Sequence, residues 1–303
     1  MLKLIPLILI CLLFSPVSLI AQTYNFDYNQ TPRLCLNLKF LDAKFGGQYN
    51  GLGIGIEPVV NVGKNLRLLA CFDLPYIDGK YKTMNSSRNN TNELKKFYKL
   101  GAAAEFAVVN WTDYSSEKVT LREEDAGGGW RRRYYESVLV EYRNQIGLRG
   151  GLEQFRYILE LNRYNAEMKD GDPILMVNNR RLSEYDAVAN WKLNSLYFGL
   201  SYSRIFSSFV EVSGKSARFN ETFTWYADCI LPLSTAIETL KLGGNEYDLN
   251  PFVKKSSWGI KFGVMRTTEG FVKIEAGIMP GVKAGYYIDM GLGYPLKLLK
   301  RKS

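Results

Sequence analysis

The stretch MPGVKAGYYIDMGLGYPL, residues 279–296, alternates almost without error. Val282, Ala284, Tyr286, Ile288, Met290, Leu292 and Tyr294 fall on one parity. Lys283, Gly285, Tyr287, Asp289, Gly291 and Gly293 fall on the other. Successive side chains of a strand point to opposite faces, so this is a strand with one apolar face and one small or charged face. At about 3.3 Å per residue, residues 282–294 extend about 43 Å. Tilted by about 40°, they rise roughly 33 Å, enough to cross an apolar band of ~25 Å. Strands of soluble sandwiches run about 5–6 residues.

The same period recurs along the chain. Leu66, Leu68, Ala70, Phe72 and Leu74 oppose Arg67, Cys71 and Asp73, and Trp258, Ile260, Phe262 and Val264 oppose Gly259, Lys261 and Gly263. Charges recurring mid-strand would be ruinous in a sandwich core, yet they suit a hydrated or ion-paired barrel interior. The expected fold is therefore all-β: a single transmembrane, antiparallel, up-and-down β-barrel of about 12 strands, with 10–14 compatible. The strands are predicted near 23–30, 33–45, 52–62, 64–76, 96–110, 134–147, 151–163, 194–207, 218–231, 257–266, 270–279 and 282–294. An even count puts both ends on one side, the periplasm in bacterial single-chain barrels. Long connections 111–133, 164–193 and 232–256 then emerge together as extracellular loops. The 46–51 turn, Gly150 and 267–269 fall on the other side as short links. One link, 77–95, is long and polar on the side where links should be short.

The N-terminus points to export. A short basic start, Met1-Leu2-Lys3, precedes an apolar run from Leu4 to Leu13, a break at Ser15-Pro16, and a small residue at Ala21. Residues 1–21 thus have the anatomy of a cleaved signal peptide, too short for a membrane-spanning helix. The mature chain, 22–303, reads as one domain without repeats or low-complexity linkers. Removing Lys3 from the 39 basic residues leaves 38 against 30 acidic ones, a charge of +8. Three cysteines remain, Cys35, Cys71 and Cys229, an odd number that speaks against a full disulfide framework.

The opening segment carries a resemblance. Asp289, Gly291, Tyr294 and Leu296 match the terminal-strand signal that outer-membrane barrels present to the barrel assembly machinery, with Leu296 in place of the usual final aromatic. With the leader and the alternating segments, the chain resembles a bacterial outer-membrane β-barrel protein, loosely the PorT-like barrels. The resemblance implies residence in the cell outer membrane, with membrane lipid, lipopolysaccharide and the assembly machinery as partners.

The chain contains no histidine. Ser-His-Asp and Cys-His sites need an imidazole, so no such site can form and no enzyme is expected. The wide cysteine spacing gives no zinc site, and neither metal nor cofactor is expected. Gly51, Gly53 and Gly55 lack the Lys-Ser/Thr ending of a phosphate loop and read as tight barrel packing. Lys39, Glu57, Arg67, Asp73, Glu105, Glu141, Arg143, Arg156, Glu160, Lys261, Lys273, Glu275, Lys283 and Asp289 have inward parity and are expected to form a lumen charge network, or a constriction for small solutes. Arg131, Arg132, Arg133, Arg180 and Arg181 lie on predicted surface loops, where guanidinium groups could dock phosphates of an anionic leaflet. Export makes nucleic acid an unsuitable partner for this charge. The preferred expectation is a non-enzymatic envelope scaffold or partner-binding subunit acting through its loops or rim. A narrow porin-like channel is the alternative, and a carboxylate-based enzyme the third.

Overall fold

The structure is a computed structural model. It describes residues 24–27, 33–46, 50–78, 95, 97–161, 176–177, 180–181, 187–212, 215–242, 245–248, 250, 256–281 and 285–298. The predicted leader, residues 1–21, and Lys283 lie outside the described residues. Ten strands build one antiparallel sheet: β1 (Leu34–Gly46), β2 (Gly51–Val62), β3 (Leu66–Asp78), β4 (Tyr98–Gly127), β5 (Trp130–Leu161), β6 (Ala187–Val212), β7 (Lys215–Ile237), β8 (Gly259–Thr267), β9 (Phe271–Met279) and β10 (Gly285–Leu298). Each strand pairs with its neighbours in sequence, and β10 pairs with β1, so the sheet closes in a ring.

Alternation explains why these residues close rather than stack. Ile54, Ile56, Leu68, Phe72, Phe198, Leu200, Phe262 and Ile274 are exposed on the outer face, while the interleaved Glu57, Arg67, Asp73, Lys261 and Lys273 are buried. The ring is thus inside-out relative to a soluble sheet, with the charges within and the apolar residues without.

The ring has ten strands where about twelve are expected, for two reasons. The predicted strands 134–147 and 151–163 are one strand, β5. Gly150 stays in the ladder opposite Phe198 and Ala104, and Gly151 opposite Tyr197 and Ala103. A Cβ on Gly151 would meet the Ala102 carbonyl oxygen and the Tyr197 ring, so this glycine marks a close approach and not a turn. Of the predicted strand 23–30, the described part, Tyr24–Asp27, is no member of the ring; among the described residues it pairs only with the end of β6, at Phe209 to Val212.

Sidedness changes accordingly. Connections 47–50, 79–97, 162–186, 238–258 and 280–284 share one end. The turns at 63–65, 128–129, 213–214 and 268–270 share the other with the start of β1 and the end of β10. The awkward link 77–95 therefore joins the long connections once 23–30 leaves the ring. The 46–51 turn moves to that end too.

Residues 111–133 are not a loop. β4 runs past Phe106, its last residue paired with β3 (opposite Leu66), and β5 meets β6 only from Tyr142 onward. Residues 107–127 and 130–141 therefore form a two-stranded arm leaving the ring at the end opposite the long connections. Its two-stranded part, 114–127 against 130–141, is about 40 Å long at ~3.3 Å per residue. Gly127, Gly128 and Gly129, all with positive φ, turn its tip. One face of the arm packs on β6: Val119, Val138, Val140, Val210 and Val212 form a buried cluster flanked by Leu121 and Phe206. The Ser208 hydroxyl also donates to the Glu141 carbonyl oxygen at 3.2 Å.

Candidate functional site: a charge-filled interior

The inward face of the ring buries seven cations (Lys39, Lys44, Arg67, Lys99, Arg149, Lys261 and Lys273) against eight carboxylates (Asp42, Glu57, Asp73, Glu105, Glu153, Asp228, Glu275 and Asp289). Near-parity of sign is what makes such burial tolerable, because an unpaired charge in a low dielectric costs several kcal/mol.

The pairs form a connected network. Near the long-connection end, the Lys39 ammonium lies 2.5 Å from Asp73 and 3.3 Å from Asp42. Lys44 reaches Asp42, Asp289 and Asp73 at 2.7, 2.9 and 3.1 Å. Lys99 bridges Glu275 at 3.2 Å and Asp289 at 3.4 Å. Deeper, Lys273 holds Glu57 at 3.0 Å, and Lys261 holds Glu153 at 2.5 Å. Arg149 holds Asp228 at 3.3 Å. Arg67 pairs with Glu105 and donates to the Ser203 hydroxyl at 2.7 Å. Tyrosines complete the carboxylate shells: the hydroxyls of Tyr226 and Tyr287 donate to Glu275 at 2.6 and 3.1 Å. Tyr197 and Tyr226 also offer their rings to the cations, at 3.4 Å under Lys261 and 3.9 Å under Arg149.

Inward glycines make room for these long side chains. A Cβ on Gly263 would collide with the Tyr226 ring, and one on Gly55 with Asp73 and Lys39. At the long-connection end, Phe97, Phe155, Tyr157 and Trp191 form an aromatic cap, with centroid separations of 5.3 Å for Phe97–Tyr157 and for Tyr157–Trp191. Among the described residues, three small cavities, under the cap at Lys44 and Lys99, beside Cys71 and Glu153, and beside Asn37 and Arg67, are about 30 Å³ each, room for about one water apiece.

Nine of the fourteen predicted interior charges meet in this network: Lys39, Glu57, Arg67, Asp73, Glu105, Lys261, Lys273, Glu275 and Asp289. Glu141, Arg143 and Arg156 do not join it; they are half-buried, and Arg156 stacks on the Tyr98 ring at 4.6 Å. The side chains of Glu160 and Lys283 lie outside the described residues. Sequence parity misses six members. Asp42 and Lys44 turn inward because a β-bulge between Lys39 and Asp42 reverses the parity of β1. Arg149 and Glu153 share the inward parity of β5 with Phe155 and Tyr157, aromatic residues that mimic an outward face in the sequence. Lys99 and Asp228 carry the expected alternation and are recoverable from it.

The predicted basic loops are a different matter. Arg131, Arg132 and Arg133 stand on a strand opposite Asp125, Glu124 and Glu123, and Arg133 bonds Glu123 at 2.9 Å. Their charge is largely answered within the arm. The backbone of Arg180 and Arg181 pairs with Met176–Val177 in a small hairpin, and their side chains lie outside the described residues. Of the terminal-strand signal, Asp289 and Gly291 face inward, whereas Tyr294 and Leu296 are exposed outward. The strand runs on to Leu298 and does not stop at Tyr294; Pro295 is tolerated beyond Gly293, the last residue of β10 paired with β9.

No protein-family model and no curated protein matches this chain. Its chemistry must be read from the site alone. Asp42, Asp73 and Asp289 bring carboxylate oxygens within 4.8 Å of one another, a spacing that could hold a cation. Lys39 and Lys44 occupy that role with their ammonium groups. Cys35, Cys71 and Cys229 are free thiols. The interior is a set of ion pairs that ties strands together across the ring, as Lys99 on β4 does with Glu275 on β9 and Asp289 on β10.

Proposed function

We propose that the chain is an integral β-barrel of the bacterial outer membrane, exported by its leader, closed to solutes, and acting as a partner-binding scaffold of the envelope through its arm. The observation that carries this reading is the inside-out ring: charged residues within and exposed Ile, Leu, Phe and Trp without. An apolar belt of that extent suits an apolar solvent, which supports the membrane reading. β8 and β9, nine residues each, rise about 23 Å at a tilt of ~40°, matching a belt of ~25 Å. Outward Tyr286 and Tyr294 are 74% and 57% exposed, consistent with two interfacial girdles. Asp289, Gly291, Tyr294 and Leu296 would serve as the assembly signal.

With the ring's ends in the periplasm, as such barrels have them, the arm reaches into the periplasm. Its tip carries Trp130, Arg131, Arg132, Arg133, Tyr134 and Tyr135, all exposed. Trp, Arg and Tyr are the residue types enriched at protein–protein hot spots. A protein partner therefore suits this tip better than the lipopolysaccharide phosphates expected for a basic loop. The porin-like alternative is disfavoured by the filled interior.

Two measurements test the proposal together. Purified protein should migrate differently on gels before and after heating, and should give no steady current in a planar bilayer. Water solubility without detergent would refute the barrel, and a stable open conductance would refute the closed scaffold. A photo-crosslinking residue at position 130 should give a discrete adduct in whole cells, and one at Leu200 should not.

A further inference from the structure

The ladder between β5 and β6 stops at the Tyr142–Phe206 pair, and the two edges that part there fare differently. On β6, β7 holds the far edge along this length, so Tyr24–Asp27, opposite Val212 to Phe209, lies on the edge that β5 vacates. The matching edge of β5, residues 130–141, pairs with no strand among the described residues. Its backbone N–H and C=O groups are an open template for another strand. β4, the arm's other outer edge, is blunted, because the extra residues at the three register shifts of the β4–β5 ladder all lie on it. β5 carries none of them, and its run WRRRYYESVLVE holds neither Pro nor Lys and is rich in strand-forming residues.

The outer half of this edge, Trp130–Tyr135, is exposed and carries one sign of charge. Arg131, Arg132 and Arg133 follow one another, so an added strand meets a guanidinium on both of its faces. Glu123 answers Arg131 and Arg133, at 3.7 and 2.9 Å. Glu124, opposite Arg132, is taken by Arg122 at 2.5 Å and by the Tyr134 hydroxyl at 3.2 Å. Arg132 itself forms no ion pair among the described residues. We propose that this edge of β5 takes up an extended, acidic segment of another envelope protein as an added strand. Main-chain ladder bonds supply the affinity, and the arginines select acidic side chains. The inference rests on the reading of the arm as a partner-binding element, and it names the form and charge of the partner. A second copy in the same membrane is a poor occupant, since antiparallel pairing of two such edges would point the rings in opposite directions.

The test uses the purified full chain in detergent, with a photo-crosslinking residue at position 134, 135 or 120 and capped eight-residue peptides as probes. A peptide of alternating Thr and Glu should give adducts at both 134 and 135, which lie on opposite faces of one edge, at least fivefold above position 120. Thr120 is the cross-strand partner of Tyr135 and shares its face, but it lies on β4. A peptide of alternating Thr and Lys reverses the charge, and one of alternating Pro and Glu keeps the charge but loses ladder N–H groups. Both should stay near the level of position 120. Arg132→Ala should lower the Thr-Glu adduct at 135 at least threefold. Adducts at 135 and 120 without one at 134 would mean docking on a face and would overturn the proposal. So would equal yields with the Pro-Glu peptide, no adduct at any position, or a chain-to-chain adduct in place of the peptide's. The whole-cell adduct at position 130 reads the partner-binding role separately, so the edge can fail while that role stands.

Discussion

Replacing Lys261 with methionine strands a carboxylate inside the ring, and the structure says which one. The Lys261 side chain is fully buried, 2.5 Å from Glu153 and 3.8 Å from Asp228. Asp228 keeps Arg149 at 3.3 Å, whereas Glu153 has no other cation within salt-bridge distance among the described residues. Removing one partner of a buried pair costs about 3–5 kcal/mol. Protonating a free carboxyl at pH 7 costs about 4 kcal/mol, which caps the penalty from that side. Lys261→Met should therefore lose about 3–4 kcal/mol, a factor of roughly 150–900 in the unfolding constant. At pH 5 the same proton costs only about 1 kcal/mol, so the deficit should shrink markedly there. Adding Glu153→Gln removes the stranded charge and should recover at least about 2 kcal/mol, since neutral replacement of a whole pair is close to neutral. The assay is reversible urea unfolding in lipid vesicles at pH 5 and pH 7, followed by tryptophan fluorescence. A single variant within about 1 kcal/mol of the parent, or a double variant no better than the single, would refute the ion-pair account of the interior.

Other expectations follow from particular contacts. Gly263→Val pushes a side chain into the Tyr226 ring and should destabilise by about 1–3 kcal/mol by overpacking, read in the same unfolding assay. Leu200→Arg puts a charge on the outward face, where Leu200 is 58% exposed. It should cost about 2–4 kcal/mol in a bilayer and far less if that face met water. On the arm, the Tyr114 amide and the Tyr142 hydroxyl hold the exposed Asp113 carboxyl below its ordinary value of 3.8. That contribution to arm stability is present above pH 4 and is lost as pH falls through the folded value. Tyr142→Phe should therefore weaken the low-pH loss of amide protection in the arm, measured by hydrogen exchange between pH 5 and pH 2.5.

Much of the ring is legible in the sequence, and the failures have definite causes. Lys261, Lys273 and Glu275 are readable as interior because each sits in a regular run of alternation with apolar neighbours on the other parity. Asp42 and Lys44 are hidden by a bulge, which shifts a strand by one residue and exchanges its faces without any mark in composition. Phe155 and Tyr157 are misread because aromatics facing an interior cap look like aromatics facing lipid. Arg131, Arg132 and Arg133 read as a basic loop until their cross-strand carboxylates are known.

By itself the sequence determined an all-β chain with one apolar and one charged face per strand, and no histidine chemistry. Those are local properties, because the two-residue period and the residue types are written along each segment. Only the tertiary structure decided that ten strands close through β10 and β1, that 111–133 is an arm and not a loop, and which ends of the strands share a side. These depend on which backbone groups find partners far away in the chain, and on where a ladder stops. Gly150 stays in a ladder, and Tyr24–Asp27 falls outside the ring, because of their neighbours in space and not because of their own side chains.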